Sequence, residues 1–331
     1  MQLKEIYKPV KKELEEVEKV LEVSLKDSKN ESVRRINSFL LESPGKRLRP
    51  AMLILSAKAA SGKSRAAVSR QLINIAAAIE LIHTASLIHD DVIDHSVFRH
   101  HNPTVNSKWG EDASIALGDY LYSLAFKLIA TCNNMDILDC ISSATKSMCE
   151  GELTQIVERD NLSLLEERYI MIIKKKTASL FAASCQAGAI LSKSPRRLEI
   201  ALKQYGLNFG TAFQIIDDYR DIAQPKARLG KSPGQDIAVG EMTLPLLNLL
   251  KSVNQDKRCR LENLLKSKTN DCLKKIKLEL INSDAIARTK KITLPYLNSA
   301  KDRLKSLSES EYRQSLTDLV DVVLKSDVWK S

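Results

Sequence analysis

Two stretches of this 331-residue chain place carboxylates where they could do chemistry: Asp90-Asp91-Val92-Ile93-Asp94 and Asp217-Asp218-Tyr219-Arg220-Asp221, both of the form D-D-x-x-D. On a helix, residues four apart lie one turn above each other, so Asp90 stacks on Asp94 and Asp217 on Asp221. Like charges so placed repel, and a divalent cation between them relieves the repulsion. Ligation by oxygen alone selects a hard ion, magnesium above all, and magnesium held by one or two carboxylates keeps its other positions for water and substrate phosphate. The expected ligand is a diphosphate. One isolated D-D-x-x-D would read as a solvated helix end. Two copies, each closing an apolar helix, with Gln214 one turn before Asp217, reverse that reading.

The elements that must hold these residues are helices. Eleven glycines and nine prolines are too few for a sandwich, a barrel or a doubly wound sheet, which need turn-formers every ten residues or so. Apolar residues recur at three- and four-residue spacing from end to end, which predicts an all-α fold of about ten helices. Breaks are expected at Ser43-Pro44-Gly45, Ser61 to Ser64, His101-Asn102-Pro103, Ser192 to Pro195, Gln224 to Gly240 and Asn282-Ser283. Arg65 to Asp94 is apolar almost all round, as a helix enclosed by others must be, and Tyr205 to Asp221 repeats the design. Nothing resembles a linker, so residues 1–331 read as one domain.

No stretch approaches the roughly 20 uninterrupted apolar residues of a spanning helix, and the N-terminus lacks a secretory or transit pattern. The six cysteines are scattered without a C-x-x-C pair, as in a reducing compartment, so a cytoplasmic location is expected. The net charge of +10 raises the question of an anionic partner. Its surplus falls mostly after residue 250, with 18 Lys or Arg against 11 Asp or Glu. A nucleic-acid scaffold is disfavoured by 5% aromatic content and two acidic clusters. A solvated surface is the favoured account, with weak peripheral contact to anionic lipid as the lesser one. All five histidines, His83, His89, His95, His100 and His101, lie within 19 residues, but spacings of six scatter His83, His89 and His95 around the helix axis, so they do not read as a metal cluster. Ser61-Gly62-Lys63-Ser64 lacks the first glycine and the preceding strand of a P-loop, and reads as a turn.

Further signatures stand in order along the chain: Gly45-Lys46-Arg47-Leu48-Arg49-Pro50, Ile82 to Asp91, Arg99 with Pro103-Thr104 and Asn106, and Gly118-Asp119-Tyr120-Leu121. Gly151-Glu152 with Gln155, Lys176-Thr177-Ala178, Phe213-Gln214-Ile215, and Gly230-Lys231 with Gly234 and Asp236 follow. With these the sequence resembles the trans-isoprenyl diphosphate synthases, the family of farnesyl, geranylgeranyl and longer polyprenyl diphosphate synthases, over almost its whole length. The resemblance implies an isoprenoid synthase-type helical bundle with a central cavity between the two aspartate-rich helices, usually as a homodimer. It implies about three Mg2+ ions, an allylic diphosphate that ionises to a carbocation, and isopentenyl diphosphate that attacks it head to tail. Carried over by position, Asp90, Asp94 and Asp217 are the main metal ligands, with Asp91, Asp218 and Asp221 in support. Arg99, Lys176 and Lys231 hold the allylic diphosphate. Thr177 and Gln214 line the reacting carbons, and Lys46, Arg49 and His83 hold isopentenyl diphosphate.

Two positions depart from the family pattern. His100 stands where a second arginine is usual, and is expected to take its place for isopentenyl diphosphate when protonated. Glu241 stands where a lysine is usual; either it points away from the allylic diphosphate or another cation compensates. A heteromeric subunit would generally lose aspartates that this chain keeps, and a terpene cyclase would lack Lys46 and Arg49. For chain length, Ala85 and Ser86 lie five and four residues before Asp90 without an aromatic block, and Ile82 and Ile79 could form a deeper floor. Products beyond C20 are favoured, with geranylgeranyl length as the alternative.

Overall fold

A computed structural model describes residues 2–42, 45–61, 69–99, 102–223 and 235–324. Helices α1 (Leu3–Ile6), α2 (Lys11–Lys26) and α3 (Glu31–Leu41) form an N-terminal layer. They are followed by α4 (Leu48–Ala60) and α5 (Arg70–Ile93), which carries the first aspartates. The middle of the chain supplies α6 (Val105–Trp109), α7 (Glu111–Ala130), α8 (Met135–Val157), α9 (Glu166–Ile173), α10 (Ser179–Leu191) and α11 (Arg196–Ala223), the last carrying the second aspartates. After α12 (Gln235–Ala238) come α13 (Leu244–Ser252), α14 (Gln255–Ser267), α15 (Asn270–Ile281), α16 (Ala285–Leu304) and α17 (Glu311–Leu324). The all-α expectation holds, apart from a two-residue antiparallel ladder that pairs Phe98 with Pro103 and Arg99 with Asn102.

There are more helices than the sequence pattern predicts, because several turns use no Gly-Pro cluster. Side-chain caps start helices there instead: Asn134 accepts from Asp136 and Ile137 amides at α8, and Asn254 from the Lys257 amide at α14. Pro295, conversely, sits inside α16 without ending it. The α5 helix starts at the Ser69 cap, whose hydroxyl accepts from the Leu72 amide. The expected turns at 62–64 and 224–234 lie outside the described residues.

α4 and α5 are buried nearly all round, so their sequences show little amphipathic contrast. α5 packs on α2, α4, α7 and α10, whereas α10 packs on α4, α5, α8 and α11. α5 and α11 make no extended contact with each other. The small side chains of α10, including Ala182, Ala183, Ala187 and Ala189, let its neighbours close around it. A second apolar core gathers α9 and α13 to α15 with Ile215 of α11. Among the described residues two helices, α5 and α7, are long and apolar enough to cross a membrane; α5 is mostly buried inside the bundle, as a core helix requires, and α7 less so. All six cysteines are free thiols, in keeping with their spacing.

Candidate active site

The two D-D-x-x-D motifs do not present all their carboxylates alike, because adjacent helical residues diverge by about 100° around the axis. Asp91 turns into the protein and receives a bidentate guanidinium from Arg99, with Nε at 2.9 and 3.1 Å and Nη2 at 2.8 Å. The short ladder holds Arg99 in place, while the Asn106 amide donates to the Asp91 and Ser96 carbonyls and pins the loop to the end of α5. Asp90 and Asp94 remain on the cleft side, each about one-fifth exposed.

The second motif divides in the same way. Asp218 is buried; it accepts from the Gln214 amide at 2.7 Å and the Tyr169 hydroxyl at 2.5 Å. Asp221, also buried, accepts from the Asp236 amide and so ties α12 to the end of α11. Asp217 alone of the three is exposed. Asp91, Asp218 and Asp221 are thus engaged within the fold, leaving Asp90 and Asp94 partly exposed and Asp217 exposed.

Between α9 and α10 the chain widens into one π-helical turn, Lys174–Ala178. Such turns insert an extra residue into a helix and often mark functional sites. Two glycines make room for it. A methyl group on Gly151 of α8 would stand 2.4 Å from the Lys176 backbone nitrogen, and one on Gly210 of α11 would stand 2.7 Å from the Ala178 Cα. The three lysines of the turn diverge: Lys174 lies over the Tyr296 ring, Lys175 pairs with Glu150 at 2.8 Å, and Lys176 points into the cleft. There its ammonium contacts Glu152 and lies 3.9 Å from Asp90. The next residue, Thr177, donates its hydroxyl to the Gln214 carbonyl oxygen at 2.9 Å. Because Asp218 is acceptor-only, it orients the whole relay: the Gln214 NH2 must face Asp218 and its oxygen must face Thr177. Tyr169, absent from the motifs, locks the far side of Asp218.

Electrostatics in the cleft are those of crowded carboxylates. Burial raises Asp90, and Asp94 and Asp91 add to the rise while Lys176 and Arg99 oppose it. Burial likewise raises Glu152. Glu241 is pushed up to about 7, chiefly by burial, with Lys176 opposing and Asp94, Asp218 and Glu152 reinforcing. For Lys176, burial pulls downward but Asp90, Glu241 and Glu152 outweigh it and the ammonium is held charged. Glu241 therefore points inward, 13% exposed, and the compensating cations are Lys176 and Arg159, whose Nη2 lies 3.8 Å from Glu241 and 2.5 Å from Asp94. Sequence reading missed Arg159, Glu152 as a partner of Lys176, and Tyr169. The crowding fits a divalent cation by its donor chemistry. Among the described residues no three acidic, imidazole or thiolate groups converge closely enough to form a metal cage by themselves.

Arg49 is buried, stacks its guanidinium 4.2 Å from the Phe181 ring centre, and is pushed down to about 10 by burial against the pull of Glu80. His83 is held well below its usual value by burial and by Arg49, Arg99 and Arg47, so it is neutral and offers a hydrogen bond rather than a charge. Lys46 is exposed. Arg47, with a left-handed φ of 52°, reaches Glu18 at 2.5 and 3.0 Å and the buried Glu80 at 2.8 Å. His89 turns to α7, its Nε2 3.2 Å from the Ile115 carbonyl, and His95 is exposed. His100 and Lys231 lie outside the described residues.

A family model described as polyprenyl synthetase matches residues 30–281. The short chain isoprenyl diphosphate synthase of Methanothermobacter thermautotrophicus is 35% identical over 308 residues, covering 92% of this chain and 93% of that protein. The octaprenyl diphosphate synthase of Haemophilus influenzae is 33% identical over 295 residues, covering 87% and 86%. The crystal structure of a polyprenyl synthase from Caulobacter crescentus CB15, complexed with calcium and isoprenyl diphosphate, is similar with a TM-score of 0.92 at 30% identity, over 98% of this chain and 97% of that one. Matches of this extent, over a cleft of this chemistry, mean that the chain belongs to the polyprenyl synthetase family and is a transferase of prenyl groups.

Proposed function

We propose that the chain condenses isopentenyl diphosphate head to tail with an allylic diphosphate of farnesyl or geranylgeranyl type, and that its product exceeds C20. The observation that carries this reading is the cleft where Asp90, Asp94 and the buried Lys176 meet beside the Thr177–Gln214 relay. Magnesium, about three ions by family resemblance, supplies charge that stabilises the departing diphosphate. Asp90, Asp94 and Asp217 are its main ligands, with Asp91, Asp218 and Asp221 holding the surrounding side chains in place. Arg99, Lys176 and Lys231 bind the allylic diphosphate. As the C–O bond breaks, the Thr177 and Gln214 oxygens face the allylic cation and stabilise it. Lys46, Arg49, His83 and His100 orient isopentenyl diphosphate so that its double bond forms the new C–C bond. The proton then lost passes to the released diphosphate. We read the chain as one domain that works as a homodimer.

Purified protein incubated with magnesium, isopentenyl diphosphate and farnesyl diphosphate is expected to yield products longer by multiples of five carbons. No elongation of any allylic primer refutes the reading. The family resemblance spans short-chain and octaprenyl enzymes, so length must come from the walls of the cleft. Ala85 and Ile82 are fully buried on α5 and Ser86 partly so, its hydroxyl bonded to the His83 carbonyl at 2.8 Å. Ser86 and Ala85 lie roughly 6 to 7.5 Å from Asp90 along the axis, and Ile82 about 12 Å. Ala85→Phe is expected to shift the products toward shorter chains, read by chromatography; an unchanged distribution places the growing chain elsewhere.

A further inference from the structure

Arg159 stands just beyond α8 and outside every motif, yet its guanidinium lies inside the carboxylate cluster. Its side chain is 21% exposed, with Nη2 bonded to Asp94 at 2.5 Å. Its buried Nε has no acceptor among the described residues. Facing it, the Glu241 Oε1 atom is buried without a hydrogen bond and lies 3.8 Å from Nη2, a Coulombic distance. Glu241 thus places a negative charge beside the position that an anionic substrate must reach. The neighbouring cations assigned to the same diphosphate are also engaged with carboxylates in this structure. Arg99 makes its bidentate contact with Asp91, and Lys176 is held by Glu152 near Asp90. Arg159 differs from both in that its hydrogen-bonded partner, Asp94, is itself a proposed metal ligand. Once Asp94 is claimed by a cation, the guanidinium has a free fork and an opposite charge beside it. A planar fork matches phosphate oxygens in a way that few other groups do.

We propose that Arg159 is a specificity-determining residue for the allylic diphosphate: it holds Asp94 in the metal-free enzyme, then offers its fork to the diphosphate oxygens and offsets Glu241. This rests on the prenyl-transfer reading. It also accounts for a glutamate at position 241, since the positive charge reaches the cleft from the end of α8 instead.

The test is calorimetric binding of farnesyl S-thiolodiphosphate, an unreactive allylic analogue, with magnesium present. Arg159→Ala is expected to weaken binding about 10- to 100-fold, the range for losing hydrogen bonds to a charged group. The KM for isopentenyl diphosphate should stay within about twofold, and Arg159→Lys should fall between wild type and Arg159→Ala. Adding Glu241→Lys to Arg159→Ala should recover most of the lost affinity, because it restores a cation to the same corner. Unchanged analogue binding in Arg159→Ala overturns the proposal. So does failure of the double variant to recover affinity when its thermal melt matches wild type, since a cation restored to that corner would then not be what binding requires. Loss of elongation by the wild-type protein would instead strike the prenyl-transfer reading, while the analogue titration still reports on Arg159.

Discussion

Lys176→Met is expected to lower kcat/KM by about 10³-fold, the scale set by removing one preorganised charge from a developing anion. The structure explains why stability should fall as well. Asp90, Glu152 and Glu241 surround this ammonium in a setting that raises all three carboxyls, and they hold it charged against burial. Deleting one member of a buried ionic cluster leaves its partners uncompensated, at a cost of about 3–5 kcal/mol. Metal-free Lys176→Met should therefore melt well below wild type, and magnesium with inorganic diphosphate should narrow the gap by lending positive charge to the same carboxylates. Kinetics with thermal melts at two magnesium concentrations check both parts. A variant that melts like wild type without metal would mean that Lys176 does not carry the cluster.

The second large effect needs no charge change. Gly151→Ala within an α-helix would ordinarily stabilise a protein by about 0.5–1 kcal/mol. Here the sign should reverse, because the added methyl meets the Lys176 backbone nitrogen at 2.4 Å. Either α8 withdraws or the π-turn shifts, and overpacking of this kind costs about 1–3 kcal/mol. Activity should fall by about 10²-fold, since a shift of the turn displaces Lys176 and Thr177 together and misplacement by 1 Å can cost that much. Denaturant melts and single-turnover kinetics measure the two effects. A stabilised, fully active Gly151→Ala would refute the clamp.

Much of this cleft was legible in the sequence. The repeated D-D-x-x-D at the ends of two apolar helices pointed to a divalent cation and a diphosphate, and scarcity of Gly and Pro pointed to helices. Family resemblance then placed Lys176, Thr177, Gln214 and Arg99, which the fold brings to one region. What sequence could not show depends on long-range packing. Arg159 meets Asp94 across 65 positions, and Tyr169 meets Asp218 across 49. Neither spacing leaves a local pattern. The π-turn is hidden for the same reason: Lys-Lys-Lys-Thr-Ala has no special propensity, and the room for it comes from glycines on two other helices. The unequal roles of the aspartates were partly readable, since consecutive helical residues cannot face one cleft. Which of them turns inward is decided by Arg99, Gln214 and Tyr169.

The Arg47 contacts bear on where such an enzyme begins. Its guanidinium joins Glu80, buried in the helix of the first aspartates, to Glu18 of α2, whereas the family match starts at residue 30. A boundary drawn at the start of that match therefore cuts through a partly desolvated three-member ion cluster within about one turn of His83 and Arg49. Removing α2 would leave Arg47 with one carboxylate in place of two and would open Glu80 to solvent behind the basic wall. The stretch matched by the family model and the stretch that the Arg47 cluster ties together are different, and the second reaches further toward the N-terminus.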